Sequence, residues 1–552
     1  MLMREAVQRG AWRWQEILWP AAACLLALAL ELPRLGQRAL WADEADTALY
    51  AESILKWGVP RAFTERWLAS YWQQSTNDGL IQNRLPWLSY YVAAGSFALF
   101  GRSAWSARLP FALAAVAAVP CLYFMALRLT GSRAVGAVAC FLCATNVSFL
   151  LYARQARYYG IAMLVSVLLC WKFLDVSLRR WRGITAFVVL ASVLYYSQPI
   201  TAISFVAALG LMACVWPGRR ERLPGVAVAL AATAALAVPW LLYSAGGLEQ
   251  ELGKASAMER LHIASRLSLL YFRDYAGLGW VPVLMVPPAA VAAVQWPAAR
   301  QPLAYVGMLT VASTALSSLL FLQAGLPGWD FRSVVRYQVG LLPIVSVMMA
   351  IAIVFVARSS RLVAAVIFVL AVSTSVLWEP VNGLRWRRTW HEPSSGLLTV
   401  WSPLANYLYE IAHDVEDAPA VVAAILAAQG ESGERVLVSP PWMSDVLAFE
   451  TSLTFVQPPQ RAYRSREAAM ARIPQHLLAV DDGLDWGVDF DGRLPRSVFE
   501  GFEVHTLQIP FPVEPQKPEL WWHAFRTIER HPSDWLPLVY RRVERGIGSG
   551  SD

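Results

Sequence analysis

The sequence has 552 residues, of which 57% are hydrophobic and 16% are charged, and its formal net charge is +7. A soluble domain carries about 25% charged residues, so this composition excludes a soluble enzyme and indicates a polytopic membrane protein. The positive charge comes mainly from arginines between hydrophobic runs, which fits membrane orientation better than nucleic-acid binding.

Eleven apolar runs are long enough to cross about 30 Å of hydrocarbon, or slightly shorter where a helix is packed inside a bundle. The first run follows three arginines, and with many later spans it is predicted to be an uncleaved anchor. The predicted fold class is therefore mainly α, a polytopic membrane helical bundle. Its spans are Ile17–Leu32, Ala107–Leu127, Ala134–Tyr152, Ile161–Val176, Ile184–Tyr196, Ile200–Trp216, Val226–Tyr243, Trp280–Val294, Leu303–Leu322, Tyr337–Val356 and Leu362–Leu377.

Arginines between the spans define the orientation, because cytoplasmic loops of membrane proteins are enriched in Lys and Arg. With eleven spans, every second loop lies on the same side of the membrane as the N-terminus. The arginine-rich loops belong to this set, so that side is predicted to be cytoplasmic. The long first loop, residues 33–106, and the chain after Trp378 are then extracytoplasmic. The arginines of the cytoplasmic set are Arg128, Arg133, Arg179, Arg180, Arg182, Arg219, Arg220, Arg222, Arg300, Arg358 and Arg361.

Two further segments complete the predicted organisation. The apolar stretch from Trp87 to Phe100 is about 14 residues long, which suits an interfacial helix better than a span. Residues 1–378 are predicted to form the membrane module. Residues 379–552 are predicted to form a soluble extracytoplasmic α/β domain, with a helix near Val421–Ala428 and strands at Arg435–Val438 and near Leu477–Val480.

All six cysteines lie in apolar runs, so neither a disulfide nor a structural zinc site is implied.

An acidic cluster opens the first outer loop, where Asp43, Glu44 and Asp46 follow Trp41. One interpretation is that Asp43 is a catalytic base of a lipid-linked sugar transferase. The other is that Asp43 caps the following helix, and that Asp46 completes a box-like helix start three residues later. The two interpretations are compatible.

Several arginines occupy outer loops, against the positive-inside bias. They are Arg84, the pair Arg154 and Arg157, and the pair Arg332 and Arg336. A guanidinium group is always charged and offers a planar fork that matches phosphate. Charged groups near membrane depth indicate function by default, although these arginines could instead snorkel to lipid headgroups or pair with acidic residues.

A carboxylate opposite arginines fits one transfer reaction. The carboxylate accepts the proton of an acceptor hydroxyl as that oxygen attacks an anomeric carbon, and the arginines neutralise charge on a departing phosphate. An ordinary Asp, with a pKa of about 4, is a weak base, and burial would raise its basicity. Direct displacement inverts the anomeric configuration.

The order of several short motifs resembles that of C-type (GT-C) glycosyltransferases, in particular the branch of protein O-mannosyltransferases and lipid A aminoarabinose transferases. The resemblance covers about the first 200 residues. It rests on Trp41-Ala42-Asp43-Glu44-Ala45, Arg84-Leu85-Pro86-Trp87-Leu88, Gly101–Pro110, Arg128–Arg133 and Ala153–Arg157, and more weakly on Arg336-Tyr337.

This resemblance implies a polyprenyl-phosphate-sugar donor and catalysis at the outer face of a bacterial inner membrane. It makes Asp43 the candidate base and Glu44 its acidic neighbour. Where relatives carry Lys-Pro-Pro or His-Pro-Pro, this chain has Arg84-Leu85-Pro86, which leaves the sugar and lipid preference open. The acceptor would be a glycan, a lipid or a protein. The predicted phosphate-binding residues are Arg84, Arg154, Arg157 and Arg336, and the predicted substrate-binding residues are Tyr158, Tyr159 and Tyr337.

Neither a metal nor another cofactor is predicted. Oligosaccharyltransferases, which are more distant relatives, use a divalent metal held by acidic residues of the second outer loop, whereas this loop has Arg154 and Arg157 and no acid. Two other functions stay open at this point. The same residues could form the binding site of a transporter or flippase for a lipid-linked saccharide, or the chain could be a non-catalytic membrane scaffold.

Overall fold

The computed structural model describes residues 14–215, 219–248, 281–323, 331–373, 403–414, 417–457, 467–478, 483–507 and 536–542. The described residues form two compact units. The first unit contains residues 14–35 and the described part of Arg108–His413, and the second contains Gly36–Ala107 and the described chain from Asp414 onward. The predicted domain boundary after residue 378 lies outside the described residues.

Helices account for most of the described chain, because apolar segments can satisfy their backbone polar groups internally only in a helix or a closed barrel. In chain order they are α1 (Trp14–Glu31), α2 (Ala42–Trp57), α3 (Trp72–Ser75), α4 (Leu88–Phe100), α5 (Ala104–Thr130), α6 (Arg133–Ala144), α7 (Val147–Ala153), α8 (Tyr159–Phe173), α9 (Trp181–Ser197), α10 (Pro199–Val215), α11 (Arg219–Leu248), α12 (Val281–Gln295), α13 (Pro297–Gln323), α14 (Leu342–Ser359), α15 (Arg361–Ser373), α16 (Pro403–Ala412), α17 (Ala418–Gln429), α18 (Met443–Glu450) and α19 (Glu467–Met470). A 3₁₀ segment, Phe331–Leu341, leads into α14.

Each of the eleven predicted spans overlaps a helix. Among the described residues, four helical segments are long and apolar enough to cross a membrane, namely Ala104–Thr130, Arg222–Ser244, Pro297–Leu320 and Val335–Ser359. The other apolar helices are shorter, so the number of eleven spans stays a prediction.

The predicted span Ala134–Tyr152 is broken into α6 and α7, which meet at an angle of 60° and together would make a fifth span. The break lies at Asn146, whose side-chain oxygen accepts a hydrogen bond from the Phe149 N–H at 3.0 Å and so caps α7. An asparagine that caps a new helix interrupts the preceding one.

The second unit packs α2 against α4 and α18. The ring of Tyr50 on α2 contacts Trp67 and Tyr90 with centroid distances of 5.8 and 5.1 Å. Helix α4 confirms that the stretch predicted to be interfacial is helical, and its 13 residues span about 20 Å. Its position relative to a membrane stays a prediction.

The second unit also contains a five-stranded sheet of order β2-β1-β3-β5-β4, formed by β1 (Arg435–Ser439), β2 (Thr454–Val456), β3 (Trp486–Asp489), β4 (Phe502–Thr506) and β5 (Leu538–Arg542). Strand β1 is parallel to β2 and β3, whereas β5 is antiparallel to β3 and β4. The backbone N–H of Phe455 in β2 donates to the carbonyl of Arg66 at 2.8 Å, so the first outer loop and the C-terminal chain share one unit.

The helix near Val421–Ala428 and the strand at Arg435–Val438 are present as α17 and β1. The strand predicted near Leu477–Val480 is wrong at Leu477, which ends the 3₁₀ turn Gln475–Leu477. Ala479 and Val480 lie outside the described residues. Leu477 is buried, and its carbonyl accepts a hydrogen bond from the Gln457 N–H at 2.8 Å. A short apolar run indicates burial but does not by itself distinguish a strand from a buried turn.

Candidate functional site

The three acidic residues at the start of α2 have different surroundings. Glu44 is fully buried, and its Oε2 accepts a hydrogen bond from the backbone N–H of Trp41 at 3.3 Å. The capping function predicted for Asp43 and Asp46 is therefore carried by Glu44, because the helix begins at Ala42 and places Glu44 at its third position. Asp43 and Asp46 are half-buried and lie one turn apart on one helix face.

Tyr71 interacts electrostatically with both Asp43 and Arg84 in the second unit. The pKa of the Tyr71 hydroxyl is raised to about 12, mainly by burial and also by the negative charges of Asp43, Asp445 and Asp46, while the positive charge of Arg84 opposes the change. The predicted base and one predicted phosphate-binding arginine thus both act on one tyrosine hydroxyl.

Gln82 holds the turn that carries Arg84. The Gln82 side chain is buried, and its Oε1 accepts hydrogen bonds from the backbone N–H groups of Arg84 at 2.6 Å and Leu85 at 3.2 Å. The Trp87 indole N–H donates to the Gln82 carbonyl at 2.7 Å. These bonds fix the backbone of the Arg84-Leu85-Pro86-Trp87 segment.

Asp445, on α18, is buried next to the Tyr71 segment. Its carboxylate accepts hydrogen bonds from the Trp67 indole N–H at 2.7 Å and from the Ser70 hydroxyl at 2.5 Å, and a longer one from the Ser70 backbone N–H at 3.3 Å. Burial raises the pKa of Asp445 to about 7 although these hydrogen bonds oppose the change. Neither Tyr71 nor Asp445 was predicted from the sequence.

The predicted tyrosines and two of the arginines form a cluster in the first unit. The Tyr158 hydroxyl donates to the Arg336 carbonyl at 3.4 Å and interacts electrostatically with Arg336 and Arg157. The rings of Tyr158 and Tyr337 are stacked with centroids 6.5 Å apart, and the Tyr159 ring lies edge-on to Tyr158 at 4.5 Å. The Arg336 guanidinium lies 5.6 Å from the Tyr337 ring centroid.

Gly160 allows the first turn of α8, which follows this cluster, to approach α5 closely. A Cβ atom at this position would overlap the carbonyl group of Phe111. The absence of a side chain at Gly160 therefore allows this close contact, which lies directly after Arg157 and Tyr158 in the chain.

Arg154 has other partners. Its Nη1 donates to the carbonyls of Glu31 and Pro33 at 2.6 and 2.9 Å, and its Nη2 donates to the carbonyl of Arg34 at 3.3 Å. These carbonyls belong to the C-terminal end of α1 and the turn that follows. A cation that binds the last carbonyls of a helix stabilises that end of the helix.

The predicted site residues therefore form two groups. Asp43, Glu44 and Arg84 belong to the second unit, whereas the other arginines and the three tyrosines belong to the first. Within the described ranges, no three His, Cys, Asp or Glu side chains are grouped so that they could hold a metal ion. Metal independence stays a prediction.

Comparison with known proteins agrees with this architecture. Residues 85–243 match the family model described as dolichyl-phosphate-mannose-protein mannosyltransferase. The chain also superposes on the crystal structure of ArnT from Cupriavidus metallidurans bound to undecaprenyl phosphate, with a TM-score of 0.56 and 15% identity over 96% of this chain and 98% of that one. The apo structure of the same ArnT gives a TM-score of 0.57 and 15% identity over 96% and 97% of the two chains.

The chain therefore has the GT-C fold, as the order of its motifs predicted. Within that class its similarity extends over nearly the whole length of an ArnT protein. No protein of curated function matches the sequence.

Proposed function

We propose that this protein is an integral membrane glycosyltransferase that transfers a sugar from a polyprenyl-phosphate-linked donor to an acceptor hydroxyl. The observation that carries the proposal is the shared fold with ArnT over 96% of this chain, since that ArnT structure holds undecaprenyl phosphate. The family match over residues 85–243 supports it independently. The proposed location is a bacterial inner membrane, with catalysis on the outer face.

Asp43 is the proposed general base. It is half-buried on the same helix face as Asp46, whereas the Glu44 carboxylate is buried and accepts a hydrogen bond at the start of the helix. A partly desolvated carboxylate is more basic than one in water. Glu44 is therefore a positioning residue in this proposal, because it fixes the helix turn from which Asp43 projects.

In the proposed reaction, the acceptor oxygen attacks the anomeric carbon and its proton moves to Asp43. The bond between the anomeric carbon and the phosphate oxygen breaks, and polyprenyl phosphate leaves with the electron pair. Arg84, Arg157 and Arg336 are proposed to stabilise the phosphate charge, with Tyr158, Tyr159 and Tyr337 as substrate-binding residues. A single displacement inverts the anomeric configuration, and a phosphate leaving group needs no strong protonation by the enzyme. The reaction is proposed to be independent of metal.

The acceptor class is a glycan, a lipid or a protein. To identify it, cell-envelope glycans of cells with and without the protein are compared by mass spectrometry. The modification that disappears defines both the sugar and the acceptor. That modification then becomes the readout for every variant below.

The base is tested with Asp43→Asn and Asp46→Asn, which make the same change one helical turn apart. Asp43→Asn should lower transfer at least about 100-fold, as removal of a general base does, while the purified variant binds undecaprenyl phosphate as the wild type does. Asp46→Asn should cost less than about tenfold. Equal losses, or transfer by Asp43→Asn at the wild-type rate, would contradict the assignment. Flux of a lipid-linked saccharide without any transfer would identify a transporter instead.

Arg84→Ala and Arg157→Ala test the phosphate site. Each variant should bind undecaprenyl phosphate at least about tenfold more weakly, because a charge-assisted hydrogen bond contributes about 1.5–3 kcal/mol. Unchanged affinity in both variants would remove these arginines from the phosphate site.

A further inference from the structure

Tyr71 is the exposed member of an aromatic segment that is otherwise buried. Its side chain is 48% exposed, whereas Trp67 and Trp72 on either side are 1% and 2% exposed. A large ring left half in solvent between buried neighbours is available for contact with a ligand, and aromatic faces are frequent elements of ligand sites.

The backbone on both sides of Tyr71 is held in place. On one side, Ser70 is bound through its hydroxyl and its backbone N–H to the carboxylate of Asp445. On the other side, the hydroxyl and the backbone N–H of Ser75 donate to the Tyr71 carbonyl at 2.8 and 3.1 Å. The Tyr71 ring is thus exposed on a fixed backbone, which is how a site residue is preorganised.

The charges around the Tyr71 hydroxyl locate it within the proposed reaction. It interacts with the carboxylates of Asp43 and Asp46 and with the guanidinium of Arg84. In a direct displacement the sugar lies between the attacking oxygen, next to the base, and the leaving phosphate, next to the arginine. A residue whose hydroxyl interacts with both the base and the arginine is therefore expected beside the sugar that is transferred.

We propose that Tyr71 contacts the sugar of the donor lipid, and that Asp445, through Ser70 and Trp67, is the positioning residue that holds Tyr71 there. This inference rests on the proposed function and adds a sugar-binding residue to it. It also gives the C-terminal chain a function, since Asp445 belongs to that chain and binds Ser70 and Trp67 of the first outer loop.

The chemistry of the tyrosine suits this place. The phenol of a tyrosine, with an ordinary pKa of about 10, is already protonated at neutral pH, and the raised pKa of Tyr71, about 12, keeps it so. It can therefore donate a hydrogen bond to a sugar hydroxyl, and its ring can pack against the apolar face of the sugar. The carboxylates of Asp43 and Asp46 have no proton to donate when ionised, so Tyr71 complements them.

Three tyrosine variants test the first part of the inference. Tyr71→Phe removes only the hydroxyl and should lower the initial rate of transfer in membrane vesicles about tenfold, the value of one hydrogen bond of about 1.4 kcal/mol. Tyr71→Ala also removes the ring and should lower the rate about 100-fold. Tyr91→Phe is the matched control, since Tyr91 is 43% exposed in the same unit and its hydroxyl donates to the Gly58 carbonyl at 2.6 Å. Its rate should equal that of the wild type.

The affinity for undecaprenyl phosphate distinguishes a contact with the sugar from a contact with the phosphate, because this probe carries no sugar. Tyr71→Ala should bind it with unchanged affinity, in contrast to Arg84→Ala. Wild-type transfer by Tyr71→Ala would overturn the inference, and so would a loss of undecaprenyl phosphate affinity as large as that of Arg84→Ala. If Asp43→Asn is inactive in the same vesicles, such a result leaves the proposed function intact.

Asp445→Asn tests the positioning residue. We expect about a tenfold loss of transfer with unchanged undecaprenyl phosphate affinity, and little additional loss when it is combined with Tyr71→Phe. Residues that act through one contact are not additive. Fully additive losses, or a wild-type rate of Asp445→Asn, would overturn the positioning function, and a thermal unfolding measurement confirms that each variant is folded.

Discussion

The carboxylate of Glu44 accepts a hydrogen bond from the backbone N–H of Trp41 at 3.3 Å, inside the second unit. This bond gives Glu44 a different function from the two other acidic residues of the cluster. Glu44 turns inward and fixes the start of α2, and this leaves Asp43 and Asp46 half-buried on the helix face. The same three residues that suggested either catalysis or capping can therefore serve both.

The first prediction concerns stability at this helix start. Glu44→Ala should lower the free energy of unfolding by about 1–3 kcal/mol, because it removes a cap and leaves a buried backbone donor without its acceptor. Glu44→Gln keeps an acceptor oxygen and should lose less. Thermal unfolding of the purified proteins in detergent gives the order of stability, which should be wild type, Glu44→Gln and then Glu44→Ala. If Glu44→Ala unfolds at the wild-type temperature and yet loses all transfer, Glu44 is a catalytic residue and not a cap.

The second prediction concerns Arg154, which was predicted to bind phosphate. Since its guanidinium donates to three backbone carbonyls at the end of α1, Arg154→Ala should lower the unfolding temperature and leave the affinity for undecaprenyl phosphate unchanged. Arg154→Lys should restore little stability, because one ammonium group does not reproduce the planar fork. Weaker lipid binding at an unchanged unfolding temperature would restore the phosphate-binding interpretation.

The third prediction tests the close approach of α8 to α5. Gly160→Ala should lower the free energy of unfolding by about 1–3 kcal/mol, as overpacking does, because the new methyl group would overlap the Phe111 carbonyl. Transfer should fall as well, since the displaced turn follows Arg157 and Tyr158.

Gly307→Ala is the control for this prediction. Gly307 lies in α13 of the same unit, and no atom beyond its chain neighbours and the nearby backbone of its own helix lies within 4 Å of the position that its Cβ would take. There alanine should be neutral or stabilising by up to about 1 kcal/mol, the helix preference of alanine over glycine. Equal unfolding temperatures for both variants would show that Gly160 is not needed for the helix packing.

Local patterns in the sequence predicted the helical part of the fold. Apolar runs are contiguous in sequence, so all eleven overlap helices, and the Arg157-Tyr158-Tyr159 motif comes together with Arg336-Tyr337 as a cluster. The mean hydropathy of a run changes little with one asparagine, even where that residue ends one helix and starts another. The break at Asn146 was therefore not predicted.

The sequence did not predict the partnership between the first outer loop and the C-terminal chain. Asp445 and Ser70 are 375 residues apart, and no periodicity relates them. Tyr71 was not distinguished from the other aromatic residues, because it lies outside every motif on which the sequence analysis rests. Its exposure and its charged neighbours appear only when the chain is folded.

The last prediction follows from the burial of Asp445, which raises its pKa to about 7 in the folded protein. An unfolded Asp has a pKa of about 3.9, so between these two values the folded state binds the proton and the unfolded state does not. Stability contributed by this group therefore falls as the pH rises from about 4 to about 7 and is constant above that. The change is at most about 4 kcal/mol, since one pKa unit corresponds to about 1.4 kcal/mol.

Asp445→Asn cannot titrate and should remove this contribution. The measurement is the unfolding temperature between about pH 5 and about pH 8, where the wild type should lose more stability than the variant. Identical pH profiles of the wild type and Asp445→Asn would mean that Asp445 is ionised throughout this range.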